Sequence, residues 1–113
     1  MAKDYSDLLN RRCAACAPGT PRLGDEQIDA LLKQVDGWEL RADHIEKTYG
    51  FANYHETMAF VNAVAWVAHR EDHHPDLEVG YSKCKVKYST HSVGGLSEND
   101  FICAAKVEAL LSR

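Results

Sequence analysis

Between residues 38 and 90 the apolar side chains change their spacing twice, and the order of those changes leaves few folds open. Ile45, Tyr49 and Phe51 recur at every second place with Lys47 among them, the period of a half-buried strand. Phe60, Val61, Val64, Val67 and Ala68 then follow a helical period. Leu77, Val79 and Tyr81 return to alternation, as do Val86, Tyr88 and Thr90. Arg41-Ala42-Asp43 joins a short strand at 38–40 to the strand at 45–51, and Ser82-Lys83 lies between the later two. Outer helices complete the pattern. Asp25 is placed to cap a helix over 25–35 with Ile28, Leu31, Leu32 and Val35 on one face, and Asp36-Gly37 stops it. Asn53 with Glu56 opens the central helix as a capping box, and Pro75 disfavours helical geometry at His74, so that helix should end near His73. After a Gly94-Gly95 loop, Ser97 with Asp100 caps a last helix, whose Phe101, Ala104, Ala105, Leu110 and Leu111 can face a core. The expected fold is α+β in the order α-β-β-α-β-β-α, a four-stranded antiparallel sheet with helices packed on one face.

A chain of 113 residues, 45% hydrophobic and 27% charged, is one domain's worth and can bury a core. Residues 1–22 read as an N-terminal extension closed by Pro18-Gly19-Thr20-Pro21, and residues 23–113 as the domain. A net charge of −4 argues against direct nucleic acid binding, which needs a basic excess. The longest apolar run, 60–68, is interrupted by Asn62 and too short to span a bilayer, so no membrane role is expected. The first residues lack the apolar stretch of a secretory signal, which makes the cytoplasm the expected location. Cys13 and Cys16 form a C-x-x-C pair with no second pair to complete a zinc ribbon. They read as two free thiols in a loosely ordered arm, the alternatives being a redox pair or a zinc half-site completed by another chain. Cys84 and Cys103 fall in periodic apolar segments and read as core.

The chemistry lies in residues 69–100. His69 and His73 are four apart on the expected last turn of the central helix and would share a face. His74 points elsewhere. In a hairpin the start of the first strand and the end of the second meet at one end of the sheet, which brings His91 near residues 73–75. Three converging imidazoles suit two chemistries. One is acid/base work near neutral pH, with the helix dipole, Glu71, Asp72 and Asp76 favouring protonation of His73 and His74. The other is metal binding through the H-x3-H spacing, with His91 as third ligand, although Arg70 is a poor neighbour for a cation. His44 and His55 read as incidental surface groups.

The run His69-x3-His73-His74-Pro75, Tyr81, His91, Asp100, with Ser89-Thr90, residues 95–100 and the Gly37-Trp38 step, resembles the signature of the pterin-4a-carbinolamine dehydratases over residues 24–112. The resemblance implies dehydration of 4a-hydroxytetrahydropterin to quinonoid dihydropterin, with no metal and no cofactor. It implies recycling of the pterin used by aromatic amino acid hydroxylases, phenylalanine hydroxylase among them. His73 and His91 would be the acid/base pair, with His74 holding the pterin. Asp72 and Asp100 would orient imidazoles or cap backbone, Ser89 and Thr90 would meet the pterin edge, Pro75 would turn the chain, and Trp38 would wall the pocket or equally sit in the core. His69 stands where many members have a glutamate, a departure at a substrate-contact position. A homodimer or homotetramer is implied as well. The second reading is a binding module, a dimerisation cofactor for a transcription factor; a His-ligated zinc protein is the third.

Overall fold

A computed structural model describes residues 7–111, and the chain folds in the expected order. Helix α1 (Asp25–Leu32) is followed by strands β1 (Glu39–Arg41) and β2 (His44–Gly50). Helix α2 (Tyr54–Glu71), strands β3 (Asp76–Val79) and β4 (Lys83–Tyr88), and helix α3 (Glu98–Ala109) complete the domain. The four strands form one sheet in the order β1-β2-β4-β3, every pair antiparallel. Ile45, Cys84, Val86 and Tyr88 are fully buried under the helices, while Glu46, Lys85 and Lys87 alternate with them on the outer face. Both α2 and α3 rest on β4, the strand at the centre of the architecture.

The helix ends differ from the expectation in instructive ways. Gly24, not Asp25, is the N-cap of α1, and its N–H is taken by Gln27 Oε1 at 3.0 Å. The helix stops at Leu32, but single turns returning the N–H of Gln34 and Val35 to Leu31 and Leu32 still carry Val35 into the core. Asn53 caps α2 as expected, its Oδ1 accepting from Glu56 N at 2.9 Å. The same helix ends at Glu71, because Asp72 adopts a left-handed conformation (φ 51°, ψ 43°) that closes it two residues before His73. Leu110 and Leu111 lie beyond α3 and are exposed rather than facing the core, since that helix ends at Ala109. Tyr81 lies in the turn between β3 and β4, outside both strands, and is also exposed.

The arm preceding α1 packs onto the helices. Of the stretch read as an extension, residues 1–6 lie outside the described residues. Leu8 sits in a short 3-10 turn (Leu8–Asn10), 2% exposed within the core cluster. From there residues 11–14 run between the end of α2 and the start of α3. Arg11 pairs with Glu98 at 2.6 Å, and Arg12 reaches the Arg70 carbonyl and the Glu71 carboxylate at 3.1 and 3.2 Å. Cys13 N–H donates to Glu71 Oε1 at 2.8 Å, and Ala14 exchanges two hydrogen bonds with the Asn99 side chain. Cys13 is therefore not part of a loosely held segment; it is half-buried with its Sγ 3.5 Å from that of Cys103. Cys84 and Cys103 are buried, as their periodicity implied.

Glu71 is the buried carboxylate that anchors this arm. Burial opposes its ionisation, but the Cys13 N–H, the Lys106 ammonium and the Arg12 guanidinium outweigh that and hold the carboxyl below its ordinary value of 4.5. A lowered folded-state value contributes stability that is present above the ordinary range and is lost as pH falls through the folded value. Glu71→Gln should lower the unfolding free energy at pH 7 by about 1–3 kcal/mol, since a charge-assisted bond becomes a neutral one. Urea titrations down the pH scale should show the wild type shedding this increment once pH drops below 4.5, and the variant lacking it throughout.

Candidate active site

The corner between α2 and β3 faces the exit from β4, as the hairpin argument required. Asp76 pairs with Lys87 in the register, so the residues just before β3 and just after β4 meet at the same end of the sheet. A cleft of about 520 Å³ opens there. Asp72, His73, His74 and Asp76 line one side. Lys87, Ser89, Thr90, His91 and Ser92 line the other. Each wall has a local cause. The left-handed Asp72 turns the chain out of α2, and His73 N–H still returns to the Ala68 carbonyl at 3.2 Å, which fixes where the imidazole begins. Thr90 and Gly95 form an isolated antiparallel bridge that closes the loop carrying His91, with Gly94 at φ 69° making the reversal.

Behind the cleft lies Asp100, fully buried at the start of α3. One of its oxygens, Oδ2, accepts from Ser97 N–H at 3.0 Å and from the Thr90 hydroxyl at 2.8 Å. The Thr90 proton being committed, the Ser97 hydroxyl donates to Thr90 Oγ1 at 2.7 Å. The other oxygen, Oδ1, stands 2.6 Å from His73 Nε2. A carboxylate only accepts, so His73 carries its proton on Nε2 and leaves Nδ1 as the atom that can take up or release another. The imidazole is held on its flat side too, stacked on Tyr88 with centroids 5.7 Å apart and planes 11° apart. Tyr88 is a phenol that burial, reinforced by the Cys103 thiol, keeps protonated. His73 is thus fixed in position and tautomer, while His74 and His91 stand exposed in the cleft.

Of the residues expected at the site, His73, His74, His91, Asp72, Ser89 and Thr90 line the cleft, and Asp100 supports His73 from behind. Three do not line it. His69 is exposed on α2 with its ring 5.4 Å from that of Trp66. Because α2 ends before His73, the two histidines share no helical face, and the H-x3-H metal spacing loses its geometry. Among the described residues no three His, Cys, Asp or Glu side chains converge as a metal site requires. Trp38 is 4% exposed in the core between Tyr49 and Tyr88, its indole N–H donating to Glu108 at 3.2 Å. Pro75 is half-buried in the connection to β3 and does not reach the cleft. Lys87, Ser92 and the stacking ring of Tyr88 were not foreseen. The Asp76–Lys87 pairing, implicit in the same hairpin argument that placed His91, would have brought Lys87 to the cleft.

An aspartate-held imidazole with two further imidazoles in one cleft defines a site equipped for proton transfer. The family model of pterin 4 alpha carbinolamine dehydratase matches residues 21–110. The chain is 59% identical over 106 residues to a protein of Nitrosomonas eutropha, covering 93% of this chain and 94% of that one. It is 57% identical over 110 residues to one of Nitrosospira multiformis, covering 97% of both. Both relatives bear the name pterin-4-alpha-carbinolamine dehydratase, given provisionally. The crystal structure of a transcriptional coactivator/pterin dehydratase from Brucella melitensis superposes with a TM-score of 0.76 at 28% identity, over 79% of this chain and 97% of that chain. The chain belongs to the pterin-4a-carbinolamine dehydratase family.

The geometry around Asp100 carries a prediction that needs no substrate. In Asp100→Asn the buried side chain can no longer accept from every donor facing it. Nitrogen-15 shifts of the His73 ring should then move from a single Nε2–H form to a mixture of tautomers. Urea denaturation should show a loss of about 1–3 kcal/mol.

Proposed function

We propose that this protein dehydrates 4a-hydroxytetrahydropterin to the quinonoid dihydropterin by acid/base catalysis on imidazoles. The observation that carries the reading is the bond of 2.6 Å between His73 and the buried Asp100, at the edge of a cleft also lined by His74 and His91. The reaction removes the N5 proton and expels the 4a-hydroxyl as water, so that the C4a–O bond breaks as the N5–C4a double bond forms. His73, protonated at Nε2 by its contact with Asp100, offers Nδ1 as the acceptor for the N5 proton. Asp100 then stabilises the imidazolium that results, as the carboxylate of a catalytic triad does for its histidine. His91, across the cleft, is the donor that protonates the departing hydroxyl, and His74 holds the pterin. Exchange with solvent returns both imidazoles to their starting states.

The same reading places the protein in the cytoplasm, recycling the pterin of an aromatic amino acid hydroxylase such as phenylalanine hydroxylase. It also includes a homodimer or homotetramer. Support for self-association comes from Trp66, Tyr54, Leu110 and Leu111, all exposed, and from an apolar hollow of about 380 Å³ between Phe51, Phe60 and Leu111. A second reading, a transcription-factor dimerisation module, rests on the double name of the Brucella protein. The experiment that separates them is a stopped-flow absorbance assay on enzymatically generated 4a-hydroxypterin. The wild type should accelerate its decay, and His73→Ala should slow the catalysed rate by on the order of 100-fold or more. A wild-type protein that leaves the decay unchanged would sink the enzymatic reading.

A further inference from the structure

The arm and α3 bring two thiols into contact beside the cleft. Cys13 Sγ lies 3.5 Å from Cys103 Sγ and 3.6 Å from the Asn99 carbonyl, and Cys103 Sγ is 4.0 Å from the His73 carbonyl. Neither thiol is held there by accident of side-chain rotation. The arm backbone is tied on both flanks of Cys13, through its own N–H to Glu71 and through Ala14 to Asn99. Cys103 is fully buried in the middle of α3. The gap between the two sulfurs exceeds the disulfide bond length of about 2.05 Å by only roughly 1.5 Å. The two residues are 90 positions apart in sequence, so a bond between them would close most of the chain into one loop.

We propose that Cys13 and Cys103 form a redox modification site at which a hydroperoxide converts the two thiols to a disulfide that clamps the arm onto α3. The exposures of the two residues assign the order of events. Cys13 is half-buried and borders a second hollow of about 360 Å³, together with Cys16, Asn99 and Glu71, so a small oxidant can reach it. Cys103 is sealed in the core; contact with Cys13 and then burial keep its thiol protonated. The Cys13 sulfur therefore attacks the peroxide oxygen first. The O–O bond breaks, hydroxide or alkoxide leaves and takes a proton, and Cys13 becomes a sulfenic acid. The Cys103 sulfur, already in contact, then attacks the Cys13 sulfur and expels the hydroxyl, which departs as water with the Cys103 proton. Two thiols and one hydroperoxide give one disulfide, one water and one water or alcohol, and the two electrons lost by sulfur reduce the O–O bond. The second hollow shares Asp72, His73, Thr90 and Ser92 with the cleft, so the disulfide fixes the wall behind His73.

The test uses the reduced full-length chain treated with stoichiometric hydrogen peroxide. Intact mass should fall by two hydrogen atoms and recover with dithiothreitol, and non-reducing peptide maps should show the Cys13 peptide joined to the Cys103 peptide. Cys16→Ser should behave like the wild type, whereas Cys13→Ser should give no such crosslink. Trypsin cleavage after Arg11 and Arg12 should slow several-fold in the oxidised protein and return on reduction. A crosslink of Cys13 to Cys16 in the wild type, over-oxidation of Cys13 without a crosslink, or unchanged cleavage of the arm would each overturn the proposal. The wild-type map decides the pairing without any Cys103 variant, whose core substitution could impair folding.

Discussion

A buried carboxylate at the first turn of α3 is the constraint on which the rest of this molecule depends. Asp100 closes the helix N-terminus through Ser97 N–H, holds Thr90 at the exit of β4, and reaches His73 at the exit of α2. An anion without water is tolerable only when nearly every lone pair is engaged, and here three donors from three chain segments engage it. The cap, the loop position and the imidazole tautomer therefore form as one unit. This also explains how a helix-capping reading and a histidine-orienting reading of Asp100 hold together: the two oxygens divide the tasks between them.

Two further acidic side chains repeat the device elsewhere. Near the far end of α3, Glu108 collects the Trp38 indole N–H, the Lys47 ammonium and the Tyr49 hydroxyl, and so ties β2 and the segment before β1 to the helix. That contact explains why a lysine interrupts the apolar alternation of β2: its ammonium crosses to α3 and also donates to the Asp36 carbonyl at 2.8 Å. Burial and then Glu108 keep the Tyr49 phenol protonated, so it serves as a donor. Glu71 does the same for the arm. The apolar core supplies the non-directional cohesion, and these carboxylates specify how the segments are set against each other.

Element order, the antiparallel pairing of the strands and the meeting of His73, His74 and His91 at one cleft were legible because each follows from local rules, whereas the order β1-β2-β4-β3 was not. Alternation fixes a strand, capping residues open a helix, and a hairpin returns the chain to its starting edge. What escaped depended on features without a period. The left-handed Asp72 is a single-residue decision that removed His69 from the cluster, and an Asp gives weaker notice of such a cap than a Gly. The docking of the arm rests on side chain-to-backbone bonds of Glu71 and Asn99, which leave no mark on hydrophobic spacing. Trp38 could be read equally as a pocket wall or as core, and its neighbours are core rings. Nothing in the spacing around one aromatic residue distinguishes those two surroundings.

The register of the β3–β4 hairpin reaches further than its size suggests. Tyr88 points inward to stack under His73, while its neighbours Lys87 and Ser89 border the cleft. A strand that slipped by one place would present the opposite set of side chains to each side. β4 is gripped on both sides, by β2 through Ile45 opposite Tyr88 and by β3 through Asp76 opposite Lys87, so two independent ladders agree on which of its side chains meets the imidazole. The cleft therefore inherits its precision from the middle of the sheet, and the turn at residues 80–82, at the far end of both strands, is free of that duty.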